Sequence, residues 1–390
     1  MARAFDAPSA GCVQHGSAAL AGGDGAAAGT GFDALPARRT AGAFSCTGTR
    51  AHVTVLVTGA SGYIGRRLVC ELLRDGESVC ALVRDPSRVG FGPAVTVHRA
   101  DMLDPDSLSA ISGGHTTAYY LVHSMGRGGN SGYEQRDVTA ASNFARFAVA
   151  AGIDRVVYLG GLGDRPGSGH LRSRQRVGEI LREEGPPLTW FRAGMVVGAG
   201  SESYRTLRSL VERLPVMLAP AWLGTPTQAI AINDVLRYLV EAPGIPKTRS
   251  REIQIGSPEI LTYGQMLDGM SDALGLRRRP RIPVPLLTPW LSSHWIGLVT
   301  PVDAGVARPL IEGLSTETTV TDPSGMALFD FVPRSFQQAL RDAIAEEDEP
   351  GRPNRLDDTT SQTTPTVHGC SGVPALTGPV HALCLDADTK

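Results

Sequence analysis

In the stretch GHLRSRQRVGEIL, Gly169 to Leu181, a histidine and an arginine stand four positions apart at the start of a helical pattern. An imidazole with an ordinary pKa of ~6.5 can pass a proton near neutral pH, and a guanidinium that keeps its charge can hold hydroxyls or phosphate. At roughly 100° per residue, His170, Arg174, Val177 and Leu181 fall on one narrow stripe, edged by Ser173 and Ile180. Arg172, Arg176, Glu179 and Glu183 fall on the opposite side. The apolar members set the direction of the stripe. His170 and Arg174 therefore face inwards, and Arg172 and Arg176 are the solvated charges.

A second constellation is TGASGYIG, in which Gly59, Gly62 and Gly65 leave an apolar strand and enter a helix, with Ser61, Tyr63 and Ile64 between them. Glycines at this spacing allow a tight turn and bring backbone N–H groups, at the positive end of a helix, against a pyrophosphate. The strand–turn–helix context makes this a dinucleotide signal rather than a bare glycine triplet. After the next strand, CALVRDPSR places Arg84 where a basic side chain would accept the 2′-phosphate of NADP(H), and Asp85 where an acid would bind the ribose of NAD(H). Arg84 tilts the expectation to NADP(H); a solvated charge cluster is the plain alternative.

The elements that must position these groups alternate regularly. VTVLVTG, SVCALV, AVTVHRAD, TTAYYLV, DRVVYLGG and PLTWFRAG read as strands, and helices are expected near Tyr63, Leu108, Tyr133–Ala151 and Gly169. This alternation implies βαβ units and a Rossmann-type α/β fold, a doubly wound parallel sheet with a smaller, mainly helical C-terminal lobe. The later elements are less regular: TQAIAIN, a helix from Asn233 or Asp234, EIQIG, and a helix with Thr262 as its N-cap. The expected organisation is a disordered extension over residues 1–52, a nucleotide-binding core over 53–200, a lobe over 201–345 partly interleaved with it, and a disordered tail over 346–390.

The GxxGxxG spacing resembles that of the short-chain dehydrogenase/reductase superfamily. It is most similar to atypical members such as NmrA-like proteins and the NAD(P)H-binding accessory subunit of complex I. The resemblance spans Val53 to Leu314 and is supported by ADMLDPDSL, YYLVHSM, RVVYLGG, WFRAGMVVGAGS and IAINDVLRYLV. It implies that Asp101 and Met102 lie by the adenine and that Leu121, Val122, His123 and Ser124 line the ribose side. Catalytic members carry a serine and a YxxxK pair, in which the phenol gives a proton while a hydride arrives from the nicotinamide. His170 and Arg174 stand where that tyrosine and lysine are expected, and Gly160 and Gly161 stand at the serine's place without a hydroxyl. Ser124, Tyr120 and Tyr133 are candidate replacements. Two readings follow: an oxidoreductase with Arg174 on the cofactor and His170 near the reacting atom, or a dinucleotide-binding sensor or assembly factor without hydride chemistry.

Bulk properties narrow the field. The 390 residues carry 37 basic and 39 acidic side chains, a balance that gives no reason to expect nucleic acid. The six cysteines have no metal-ligand spacing and fit a reducing, cytoplasmic setting. Ile282 to Val302 is apolar and follows Arg277, Arg278, Arg279 and Arg281, which raises membrane-surface contact as a question. Pro283, Pro285, Pro289 and Pro301 make a continuous spanning helix poor, and a buried or lid-like segment is the expectation.

Overall fold

A computed structural model describes residues 54–111, 113–123, 132–163, 168–284 and 314–348, all within one compact unit. The extension over residues 1–52 and most of the apolar segment up to Val302 lie outside the described residues.

Seven parallel strands form the central sheet: β1 (Thr54–Thr58), β2 (Ser78–Val83), β3 (Val95–Arg99), β4 (His115–Tyr120), β5 (Arg155–Gly161), β6 (Leu188–Ala193) and β7 (Arg251–Ile255). Their order is β7-β6-β5-β4-β1-β2-β3, so the chain reverses direction across the sheet between β1 and β4. In open α/β sheets that reversal opens a crevice at the carboxyl ends of the strands. The doubly wound fold expected from the sequence is therefore present. EIQIG, grouped with the irregular later elements, is β7 and pairs along β6, with Ile253 and Ile255 fully buried.

Period-two alternation sends side chains to both faces, and both are covered. On one face Val55, Val57, Tyr119, Val157 and Phe191 meet α1 (Tyr63–Arg74) and α6 (Ile232–Glu241) through Leu68, Val69, Leu72, Val235 and Leu239. On the other, Leu56, Tyr120, Tyr158 and Trp190 meet α3 (Tyr133–Ala150) and α4 (Gly169–Glu184) through Phe144, Ala148, Val177 and Leu181. The short helix α2 (Pro105–Ser109) closes the β3 end through Leu108.

A second core joins α5 (Glu202–Arg213), α7 (Tyr263–Ala273) and α8 (Phe336–Asp348) through Tyr204, Leu210, Met266, Met270 and Leu340. Thr262 caps α7 in a full capping box with Gln265, as its sequence suggests. Helix α8 runs to Asp348, three residues into the stretch expected to be tail. Its acidic end is fixed by cations: Arg67 donates to Glu346 at 2.7 Å, and Arg208 and the Tyr204 hydroxyl both donate to Glu347. The approach to α8 is anchored on α6, where the buried Asp234 accepts the Arg334 backbone N–H at 2.6 Å and pairs with its guanidinium.

Asp234→Ala removes the acceptor for both groups and should lower stability by about 1–3 kcal/mol. Urea unfolding monitored by far-UV circular dichroism measures this; an unchanged midpoint would show that the anchor carries no load.

Candidate functional site

The β1–α1 turn is built by steric necessity. Gly59 has φ +67°, and a Cβ on it would lie 2.7 Å from the Leu121 carbonyl oxygen. Gly65 sits against the Gly59 carbonyl so closely that a Cβ would overlap its oxygen. The Gly62 N–H closes the turn on Gly59 O at 2.9 Å, and Gly62 serves as N-cap of α1 without a side-chain cap. The first N–H groups of a helix have no intrahelical acceptor, so this end offers donors and a positive dipole to an anion. Ser61 and Gly62 are exposed, Tyr63 and Ile64 half-buried. Thr58 locks the turn to the next strand: its hydroxyl donates to Tyr119 O at 3.0 Å and receives the Leu121 N–H at 3.3 Å. This cradle fits a pyrophosphate.

Around it stand the other residues singled out in the sequence. Arg84 follows β2 and is exposed. Asp85 is committed elsewhere: one carboxylate oxygen accepts the Ser87 N–H and hydroxyl at 3.1 and 2.6 Å, and the other pairs with Arg88 at 3.2 Å. The Ser87 hydrogen bond, with Arg88 beside it, holds this carboxyl below the usual range. Arg66 braces the same turn, donating to Ser61 O at 2.9 Å and to Arg88 O at 2.8 Å. Asp101 follows β3 and caps the Leu103 N–H at 3.0 Å. Met102 differs from the expectation of an adenine neighbour in one respect: its side chain is in the core and its carbonyl accepts from Asn143 at 2.9 Å. Leu121 and Val122 are half-buried after β4 and His123 is exposed. Ser124 lies outside the described residues.

Helix α4 starts where β5 ends. Ser168 caps it by accepting the Leu171 N–H at 3.3 Å. The stripe is as the spacing implies. Ser173, Val177, Ile180 and Leu181 are buried, and His170 and Arg174 are half-buried. Arg172 and Arg176 are exposed and pair with Glu134, Glu179 and Glu183. The Tyr158 hydroxyl donates to Arg174 O at 2.8 Å, tying α4 to β5. The Ser173 hydroxyl donates to the buried Asp137 of α3 at 2.8 Å.

Electrostatics alter the reading of His170. Burial, and then the Arg174 charge beside it, push the imidazole down to about 3. It is neutral at physiological pH, so it cannot act as the imidazolium acid that its ordinary pKa suggested. Tyr120 is enclosed in the core, and that burial pushes its phenol well above the usual range. Tyr158 is pushed up to about 12 for the same reason. The space of the missing serine is filled. A Cβ on Gly160 would meet Trp190 Nε1 at 2.6 Å, and one on Gly161 would meet Leu171 Cδ2 at 2.9 Å.

One organising residue has no counterpart in the motifs. Arg192, buried on β6, donates to Gly161 O at 3.1 Å and Gly163 O at 2.8 Å, and pairs with Glu252 of β7 at 2.7 Å. It fixes the carbonyls at the carboxyl end of β5. A cation inside the apolar strand PLTWFRAG was the available signal, since a buried charge needs a partner.

Two outcomes test this geometry. Gly65→Ala forces the turn open and should weaken NADPH or NADH binding about tenfold or more, a loss of ~1.4 kcal/mol, read by cofactor fluorescence; unchanged affinity would place the dinucleotide elsewhere. His170 protonates far more readily in the unfolded chain, at about 6.5, than in the folded one, at about 3. Stability should therefore be fully present above pH 6.5 and fall as pH drops towards 3. His170→Phe should flatten that part of the stability–pH profile, and a profile identical to the parent's would contradict the buried neutral imidazole.

Comparison with known proteins agrees with this geometry. Residues 59–190 match a family model described as NAD(P)H-binding. A ceramide reductase of Caulobacter vibrioides is 27% identical over 297 residues, covering 74% of this chain and 92% of that protein. An Escherichia coli NADPH-dependent quinone oxidoreductase, solved with NADPH, shares the fold at a TM-score of 0.60 and 16% identity, covering 73% of this chain and 98% of that one. A Staphylococcus aureus nucleoside-diphosphate-sugar epimerase does so at 0.61 and 14%, covering 74% and 99%. The two structures establish likeness of fold alone. The matched region, residues 59–190, is an NAD(P)H-binding domain, and the reductase is similar to this chain over most of both lengths.

Proposed function

We propose that the protein is an NAD(P)H-dependent oxidoreductase of altered catalytic set, acting on a small-molecule carbonyl or quinone. The observation that carries this reading is the half-buried pair His170 and Arg174 at the start of α4, beside the strand ends that surround the glycine turn. In this reading Gly59, Ser61, Gly62, Tyr63, Ile64 and Gly65 hold the pyrophosphate. Asp101 and the Met102 backbone flank the adenine. Leu121, Val122 and His123 line the ribose side. Arg174 grips the nicotinamide ribose as the family's lysine would, but without a transferable proton. The neutral His170 packs beside the reacting centre. A reduced nicotinamide bound here would supply the hydride. The reductase relative supports a reduction and leaves the acceptor open.

We favour NADP(H) over NAD(H). Asp85 is spent on its own turn, while Arg84 is exposed and Arg66 and Arg88 converge on the same corner. The exposed Arg84 guanidinium suits a 2′-phosphate better than a ribose hydroxyl. Cys70 and Cys80 are not joined in a disulfide, which fits the cytoplasm. No described helix is long and apolar enough to cross a membrane. The basic cluster before Ile282 is largely spent within the chain: Arg278 pairs with Asp272, Arg281 with Asp268, and Arg279 donates to Val211 O. This weighs against a free anionic-lipid patch.

A second reading, an NmrA-like dinucleotide sensor or assembly factor, is favoured by one observation: neither His170 nor the filled serine position offers an ordinary proton donor.

Purified protein titrated with NADPH and NADH, then challenged with aldehydes, ketones, quinones and a keto-lipid, separates the readings. Turnover of any acceptor is expected, and tight binding without turnover would establish the sensor. Arg84→Ala should weaken NADPH about tenfold while leaving NADH within about twofold, and equal losses for both would remove Arg84 from the 2′-phosphate.

A further inference from the structure

Helices α3 and α4 both follow parallel strands, so their first turns lie side by side at the carboxyl edge of the sheet. The Asp137–Ser173 hydrogen bond at 2.8 Å fixes their register. One turn above it, at the start of each helix, Tyr133 meets Gly169. The approach is so close that a Cβ on Gly169 would collide with the Tyr133 hydroxyl oxygen. The phenol of α3 therefore lies over the residue that directly precedes His170. Glu134 Oε1 would stand 2.9 Å from that same Cβ, with Arg172 paired to Glu134 at 4.0 Å on the outer side.

The other phenols of this region are committed to the core. Tyr120 and Tyr158 are buried against Phe144 and Trp190, and Tyr119 donates to Leu239 O at 3.0 Å on the opposite face of the sheet. Tyr133 is half-buried, at the first turns rather than beneath them.

Resting on the oxidoreductase reading above, we propose that Tyr133 is the catalytic acid, delivered from α3 instead of α4. The balance is simple. The carbonyl carbon of the acceptor receives a hydride and its two electrons from the reduced nicotinamide. The C=O π pair moves to oxygen and takes the Tyr133 proton as the phenolic O–H bond breaks. The tyrosinate regains a proton from water. The charges beside the phenol are the Glu134 carboxylate and the Arg172 guanidinium, which would stand 2.9 and 3.5 Å from that same Gly169 Cβ, and the guanidinium is the one that stabilises tyrosinate. Gly169 is the consequence in the sequence, because a side chain there would displace the phenol.

The test uses the full chain, Tyr133→Phe and His170→Phe, each confirmed folded by its thermal transition. With NADPH and an acceptor turned over by the parent, Tyr133→Phe should lower the single-turnover rate about 100-fold or more, with NADPH affinity within about twofold; His170→Phe should lower it less than about tenfold. A second readout needs no turnover. Ultraviolet titration of phenolate should show one tyrosine, absent from Tyr133→Phe, whose ionisation moves to lower pH when NADP+ is added, because the oxidised nicotinamide brings a positive charge. A Tyr133→Phe rate within about threefold of an active parent, or a phenolate titration indifferent to NADP+, would overturn the assignment while leaving the oxidoreductase reading in place. A parent that reduces no acceptor would overturn both.

Discussion

The close approach of Gly65 to the Gly59 carbonyl governs the carboxyl edge of the molecule. It lets β1 pass into α1 within one tight turn, so the amino end of the helix points across the crevice between β1 and β4. The Leu121 carbonyl packs against Gly59 from the other side, and Thr58 bonds to both neighbours of that contact. The segment after β4 is therefore set by the same turn. A larger residue at either glycine would disturb the β1–α1 turn and the start of the segment after β4 together.

The second half of the site depends on a different kind of constraint. Arg192 gathers the Gly161 and Gly163 carbonyls and the Glu252 carboxylate, so the carboxyl end of β5 is held by a buried cation. Tyr158, bonded to Arg174 O, and Asp137, bonded to Ser173, then orient the helix itself. The cleft is thus assembled from polar groups on β6, β5 and α3, each buried and each satisfied by a partner. Such an arrangement leaves little freedom for the His170–Arg174 stripe to rotate.

What could be read without coordinates followed period and sterics. The strand–glycine–helix signal, the inward stripe of α4 and the N-cap at Thr262 are local, so their residues carry the information unaided. Three features were opaque: two turn on side-chain pairing and burial that spacing alone does not reveal, and the third on strands far apart in the chain. Asp85 looked like a ribose ligand until Ser87 and Arg88 were seen to occupy it. His170 kept an ordinary pKa on paper, but burial and Arg174 remove its charge. EIQIG gave no hint of its pairing, since a short apolar strand fits any open edge, and only β6 decides where it lies.

The acidic end of α8 has a consequence for how the chain is made. Arg67, two residues beyond the glycine turn, reaches Ala199 O and Glu346, and the latter lies 279 positions away. Tyr204 and Arg208 of the second lobe close on Glu347, next along the same helix. The helix that carries the nucleotide turn and the lobe facing it are thus stapled by almost the last described residues. During synthesis the sheet can form early from its adjacent βαβ units, but this staple must wait for the far end of the chain to emerge. The final joining of the two lobes thereby follows the emergence of Glu346 and Glu347, with a long loop to close before it.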